Sequence, residues 1–103
     1  MSVKQTLIYW RDIPSQVIVQ RGRTREKTML SARFQEAIDR AAMRAGKGSS
    51  DAYLSEWDRK TSQIETDEEL AALAAAEAAR LEADFSDERL AQLIRSHGRA
   101  GED

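Results

Sequence analysis

Few side chains in this sequence combine the residue types and the spacing that catalysis or metal binding requires. The chain has one histidine, His97, and no cysteine, so transition-metal ligand sets and nucleophile–histidine triads are incomplete. Residues 46–50, Gly-Lys-Gly-Ser-Ser, lack the order of a phosphate-binding loop and follow a predicted helix rather than a strand. The carboxylates at 67–69 are explained by helix capping, because consecutive side chains on a first turn point in different directions. The sequence therefore predicts no catalytic residue, no cofactor, no metal site and no enzymatic activity of the chain on its own.

Aromatic and basic side chains meet in the short stretch formed by Tyr9, Trp10 and Arg11. Tryptophan, tyrosine and arginine dominate the energetics of protein interfaces, so these three residues are predicted to bind a partner. The alternative is that the aromatic rings belong to the core and cover the sheet. Asp12 is predicted to hydrogen-bond the backbone of the adjacent turn, which is a structural role.

Three further arginines, Arg21, Arg23 and Arg25, occupy alternate positions. In an extended chain they would share one side and could contact an acidic protein surface or successive phosphates. We predict that they too bind a partner. The alternative is a solvated strand end, and nucleic acid is the least favoured ligand, because no aromatic stacking platform accompanies the arginines.

Charge is unevenly distributed along these 103 residues, although the net charge is only −2. Residues 1–30 contain six basic and two acidic side chains, whereas residues 64–103 contain eleven acidic and four basic ones. A dipolar surface is expected from this distribution. The absence of cysteine excludes disulfides and thiol chemistry, and no apolar run approaches the roughly 20 residues of a membrane span, so we expect a cytoplasmic protein.

The stretch 7–19 organises the fold, because it holds most of the β-branched and aromatic residues. Residues 7–10 and 17–19 are predicted to be antiparallel strands, and residues 11–15, which include Pro14, are predicted to be the turn between them. Residues 20–28 are interpreted as a polar, basic link. A weak third strand is predicted at 59–64, at an edge of the sheet.

Helices are predicted at 29–45, 51–56 and 67–84, the last with a capping box at Thr66, and Ser86 caps a final helix. Residues 98–103 are expected to form a disordered tail. We therefore predict a single α+β domain over residues 1–97, in which an N-terminal antiparallel hairpin and a weak third strand are covered by three to four helices.

Three segments resemble a known family: 8–17 (IYWRDIPSQV), 37–46 (AIDRAAMRAG) and 51–57 (DAYLSEW). They are similar to the small bacterial "virulence factor" domain, which is related to a segment of the staphylococcal conserved virulence factor C. The likeness covers roughly residues 7–95. In larger relatives this domain sits beside a scaffold-type domain and helical repeats, and the resemblance implies no catalytic residues.

Taken together, these features favour a non-enzymatic accessory protein that docks a protein partner through the hairpin and the arginine-rich segment. Stand-alone family members are loosely associated with folate and corrinoid enzymes, so an accessory subunit of a one-carbon methyl-transfer system is the first alternative. A nucleic-acid-binding module is the second. No membrane contact is expected, and the sequence does not indicate an oligomeric state.

Overall fold

Three consecutive strands of the computed structural model, which describes residues 1–100, form an antiparallel meander. They are β1 (Ser2–Trp10), β2 (Ile13–Arg21) and β3 (Thr24–Met29). A fourth strand, β4 (Trp57–Glu65), pairs antiparallel with β1, which gives the sheet order β3-β2-β1-β4. The N-terminal hairpin is confirmed, and so is the predicted third strand, which is longer than expected and lies at an edge.

The hairpin turn is tighter than predicted, because only Arg11 and Asp12 join β1 to β2. The prediction of a five-residue link is wrong for Pro14, which is buried in β2 opposite Tyr9. The register shifts between Ile8 and Tyr9, and proline is accepted at such a bulge because the local ladder is already interrupted.

The polar segment 20–28 contains β3, so its interpretation as a link is wrong. Five of the six β3 side chains are exposed, which removes the alternation between apolar and polar residues that identifies a strand in a sequence. This edge strand is stabilised by its backbone hydrogen bonds with β2 rather than by burial of its side chains. The turn before it passes through Gly22, whose φ of +59° favours glycine.

The helices α1 (Ala32–Arg44), α2 (Ser50–Leu54), α3 (Leu70–Asp84) and α4 (Asp87–Arg95) follow the meander and β4 in chain order. Helices α1 and α3 pack on one face of the sheet, and α4 packs on α1. The core lies between these layers, where Val17, Val19 and Phe34 are almost completely buried. The α+β class is therefore confirmed, with α1 and α3 on one side of the sheet.

Two helix starts test the capping predictions. The cap at Ser86 is confirmed, because its hydroxyl accepts a hydrogen bond from the backbone N–H of Arg89 at 3.1 Å. The capping box at Thr66 is wrong, because α3 begins later and Glu69 is its N-cap. The Thr66 hydroxyl instead accepts from the backbone N–H of Glu68 at 3.1 Å, within the loop before the helix.

Candidate partner-binding face

Trp10 lies in the core, with 0% of its surface exposed. Its indole N–H donates to the carbonyl oxygen of Tyr53 at 2.9 Å, and its ring stacks on that of Tyr53 with centroids 6.0 Å apart. The hypothesis that Trp10 is an exposed anchor is therefore wrong, because a side chain without accessible surface touches no partner. The core alternative holds for this residue.

Arg11 holds the fold together at the hairpin turn. Its Nε lies 3.1 Å from Oε1 of Glu56, and its Nη1 donates to the carbonyl oxygen of His97 at 2.9 Å. Glu56 is also paired with Lys47 and Arg99, at 3.7 and 3.3 Å. The hydrogen bond from Arg11 holds the pKa of the Glu56 carboxyl below its usual range, with the nearby cations adding to the effect. Arg11 is thus already engaged by its own chain.

The adjacent Asp12 fastens the turn to the segment after α4. Its backbone N–H donates to the carbonyl oxygen of Gly98 at 2.8 Å, and its carboxylate accepts from the backbone N–H of Ala100 at 2.6 Å. Asp12 therefore has a structural role, but the predicted partner is wrong, because the carboxylate binds the backbone of Ala100 and not that of the adjacent turn. The predicted tail 98–103 begins in this hydrogen-bonded stretch, and its residues 101–103 lie outside the described part of the chain.

Tyr9 is half-buried and lies on the helix-covered side of β1. The Lys60 ammonium sits 4.3 Å from the centre of its ring, and burial raises the pKa of the phenol above its ordinary value. Tyr9, Trp10 and Arg11 therefore do not form one exposed surface, because the first faces α3, the second is in the core and the third is ion-paired.

The three predicted arginines are also separated in space. Arg21 is half-buried, and its Nη2 donates to the carbonyl oxygens of Thr66 and Glu68 at 3.1 and 2.7 Å. Arg23 lies in the turn before β3, and Arg25 lies opposite Gln20 within β3. They do not share one side, because a turn rather than a continuous extended chain joins Arg21 to Arg25.

Arg25 belongs instead to the face of the sheet that no described helix covers. Residues opposite each other on neighbouring strands point to the same face of the sheet, so the strand pairing shows which residues lie on this face. Arg25 stands opposite Gln20 and Gln20 opposite Lys4, Lys27 stands opposite Ile18, and Arg59 stands opposite Ile8. We call this surface the basic face and define it as four cations around two isoleucines: Lys4, Arg25, Lys27, Arg59, Ile8 and Ile18.

The cations of the basic face are not neutralised by any carboxylate of the described residues 1–100. Within residues 1–100, none of the four forms an ion pair with a carboxylate. Asp58 lies at the rim, where its carboxylate accepts the backbone N–H of Arg59. The two isoleucines are each only 8% exposed, although no described helix lies over them, because the long neighbouring side chains enclose them. The face thus offers uncompensated positive charge around an apolar centre.

Two depressions lie on this face. The larger, of about 580 Å³, is lined by Ile8, Ile18, Arg25, Lys27 and Arg59 together with Gln16, Trp57 and Asp58. The smaller, of about 110 Å³, adjoins it near Thr6. Both are open, so they suit a ligand lying across the sheet rather than a molecule enclosed within the protein.

A third depression, of about 430 Å³, lies beside α4 and is lined by Arg89, Arg95 and Arg99 among others. Two of these arginines are already engaged, since Arg99 pairs with Glu56 and the Arg89 guanidinium donates to the carbonyl oxygen of Asp84 at 3.0 Å. The basic face is the better candidate, because its cations have no such partners among the described residues.

Sequence reasoning missed Lys4, Lys27 and Arg59 as site residues. Lys27 stood in a segment interpreted as a link, and Arg59 stood in a strand whose neighbour was unknown. Alternation along β1 puts Lys4, Thr6 and Ile8 on one side and was readable in the sequence. The alternation alone did not show that Arg59 joins this face, because that depends on the pairing of β4 with β1.

Comparisons with known proteins agree with the resemblance noted in the sequence. A family model described as "Virulence factor" matches residues 8–94. No curated protein and no solved structure matches the chain. In the part of the chain that the structure describes, no helix is long and apolar enough to cross a membrane, and no three His, Cys, Asp or Glu side chains are grouped to hold a metal ion.

Proposed function

The chain belongs to the virulence-factor family, and from this premise we propose that it is a non-enzymatic accessory protein that docks an acidic protein partner on its basic face. One observation carries the proposal: Lys4, Arg25, Lys27 and Arg59 surround an apolar centre on an uncovered sheet face, without carboxylate partners among residues 1–100. Unpaired cations in such a position favour a partner of opposite charge.

The composition of the face suits a protein surface. Interfaces combine an apolar centre with a polar rim, and arginine and tryptophan are the residues that most often dominate their energetics. Here the centre is Ile8 and Ile18, Trp57 contributes part of its ring at one end, and Arg25 and Arg59 stand on opposite edge strands. Guanidinium groups bind carboxylates through two parallel hydrogen bonds, so acidic side chains are the natural complement.

The hairpin turn supports this assignment by elimination. Trp10 is buried, and Arg11 is paired with Glu56. Substitution of either would disturb the fold and would remove partner binding indirectly. The docking function is therefore assigned to the basic face, of which Arg25 is the one member that was also predicted from the sequence.

Binding should depend on the charge of this face and not on the charge of the chain as a whole. The test compares the double variant Arg25→Gln/Arg59→Gln with the matched double variant Arg40→Gln/Arg44→Gln on α1, where both arginines are exposed. Each pair removes two positive charges. Wild-type and variant proteins are used as baits in a lysate, bound proteins are quantified by mass spectrometry, and the contacting segments are mapped by cross-linking.

We expect a partner with an acidic contacting segment to be retained by the wild type and the α1 variant and lost from the basic-face variant. Its capture should weaken as salt is raised, because exposed charges are screened over about 8–10 Å near physiological ionic strength. Capture that is equal for all three baits would refute the proposal. A single-stranded oligonucleotide measured by fluorescence anisotropy provides the comparison with nucleic acid, and tighter binding to it than to the captured partner would also refute the proposal.

A further inference from the structure

A small polar pocket on the basic face has the features of a site for a single anionic group. We call it the Thr6 pocket; it measures about 110 Å³ and is lined by Lys4, Thr6, Ile18, Gln20, Arg25 and Arg59. Arg25 on β3 and Arg59 on β4 stand on opposite edges of the sheet, yet both side chains reach this pocket over the central strands. Arginines from both edge strands therefore line one small volume.

The hydroxyl of Thr6 is a buried polar group that has one long hydrogen bond within residues 1–100. Thr6 is only 6% exposed, and the one hydrogen bond of its side chain among the described residues is with Oγ1 of Thr61 at 3.5 Å. Hydroxyl hydrogen bonds are ordinarily about 2.5–3.0 Å long, so this contact contributes little. Buried hydroxyls in folded proteins are generally hydrogen-bonded, and one that lines a pocket is available to donate to a ligand oxygen.

The charge of the pocket indicates what kind of anion fits. Three of its six lining residues are cations and none is acidic. A single carboxylate would leave most of this charge uncompensated. A phosphoryl group carries about −1.5 to −2 charges at neutral pH and has three strong acceptor oxygens, which match two guanidinium groups, an ammonium and a hydroxyl.

We propose that the Thr6 pocket binds a phosphoryl group carried on a side chain of the acidic protein partner. Arg25 and Arg59 would bind the phosphoryl oxygens through paired N–H donors, Lys4 would add a point charge, and the Thr6 hydroxyl would donate to one oxygen. This inference rests on the proposed docking function and names the chemical feature that the partner presents.

The larger depression next to the pocket suits the rest of the partner segment. It shares Ile18, Arg25 and Arg59 with the pocket and continues past Ile8 to Trp57. A peptide whose phosphorylated side chain occupies the pocket would place its neighbouring residues against this more apolar surface. A free phosphate ion would gain nothing from that surface, so the geometry favours a phosphorylated chain over the free ion.

The test uses three synthetic peptides of one acidic sequence that differ only at a central serine, which is unmodified, replaced by glutamate, or phosphorylated. Dissociation constants are measured by fluorescence anisotropy for the wild type and for four variants: Thr6→Val, Arg59→Gln, Lys27→Gln and Arg44→Gln. Lys27 lies on the basic face but does not line the pocket, and Arg44 lies on α1, so these two are the matched controls. Urea unfolding verifies that each variant is folded.

We expect the wild type to bind the phosphopeptide about tenfold more tightly than the glutamate peptide. One additional charge-assisted hydrogen bond accounts for a difference of this size. Arg59→Gln and Thr6→Val should remove most of this preference. Lys27→Gln should weaken all three peptides equally, and Arg44→Gln should change none. Lowering the pH from 7.5 to 5.5 should reduce the preference in the wild type, because the second pKa of a phosphoryl group is about 6.

Each contrary result has a separate meaning. Tight binding of all peptides with no preference for the phosphorylated one would overturn the phosphoryl pocket and leave the docking function standing. Absence of binding to any acidic peptide would overturn the docking function and the pocket together. Binding of inorganic phosphate as tight as that of the phosphopeptide would overturn the assignment to a protein side chain.

Discussion

Replacing Trp10 with phenylalanine should destabilise the fold without leaving a hole large enough to collapse it. The phenyl ring cannot donate the hydrogen bond that the indole N–H makes to the carbonyl oxygen of Tyr53 at 2.9 Å. That oxygen keeps the longer hydrogen bond from the backbone N–H of Glu56 at 3.3 Å, so the loss of the indole donor costs about 1–2 kcal/mol. The smaller ring also buries less apolar surface, and a difference of about 40 Å² costs about 1 kcal/mol. The expected loss is about 2–3 kcal/mol in the free energy of unfolding.

Urea unfolding followed by far-ultraviolet circular dichroism measures this loss. With a slope of about 1–2 kcal/mol per M for a domain of this size, the midpoint should fall by about 1–3 M while the slope is unchanged. The matched control is Trp57→Phe, because Trp57 is only partly buried and packs edge-on against Tyr53 at 5.8 Å. We expect this control to cost about 1 kcal/mol or less, because less of its ring is removed from water.

A Trp10→Phe protein within about 0.5 kcal/mol of the wild type would refute the reasoning, because surface substitutions cost that little. So would a larger loss for Trp57→Phe than for Trp10→Phe. If the expected order is found, any loss of partner binding caused by substitutions at Trp10 reflects the stability of the fold rather than a contact with the partner.

Two further predictions concern the segments that hold the hairpin turn. The lowered pKa of Glu56 means that its ion pairs stabilise the fold at neutral pH and that this contribution is lost as the pH falls below about 4.5, the value of an unpaired glutamate. Glu56→Gln should therefore lower the urea midpoint at pH 7 and flatten its decline in acid, and curves that run parallel to the wild type down to pH 2.5 would contradict this. Gly98→Ala should cost about 1–3 kcal/mol, because Gly98 has a φ of +86° and its added Cβ would lie 3.0 Å from Cζ3 of Trp10. Gly46→Ala, at a φ of +72° with no atom within 4 Å of the added Cβ, is the control and should cost only the backbone strain, so equal losses in thermal unfolding would exclude the contact with Trp10.

Much of the fold could be predicted from the sequence where local signals were strong. The stripe of Phe34, Ile38 and Ala42 identified α1, and the Ser86 hydroxyl identified the start of α4. The hairpin was found from its β-branched residues, but its turn was placed wrongly, because Pro14 was predicted to belong to the turn and lies in β2. A register shift that accommodates proline depends on the neighbouring strand and leaves no mark in the residues themselves.

The candidate site was less predictable, because tertiary pairing creates it. Arg59 and Arg25 are 34 positions apart and reach one pocket only because β4 pairs with β1 and β3 with β2. The aromatic and arginine residues at 9–11 attracted attention through their types alone, and their types fit the core and a salt-bridge network equally well. The burial of each side chain decides whether it belongs to the core or to a binding surface, and burial is not given by the residue types alone.

The pairing of β1 with both β2 and β4 has a consequence for the order in which the molecule assembles. A two-residue turn brings β2 beside β1, whereas β4 returns only after residues 11–56 have been closed into a loop. By loop-closure entropy, that return costs about 3 kcal/mol more than the short turn. We therefore expect the meander to nucleate first, and β4 to dock late and to detach early under denaturing stress. Because Arg59 lies on this strand, a partly unfolded chain would lose the basic face, and with it the proposed partner binding, before it lost most of its ordered backbone.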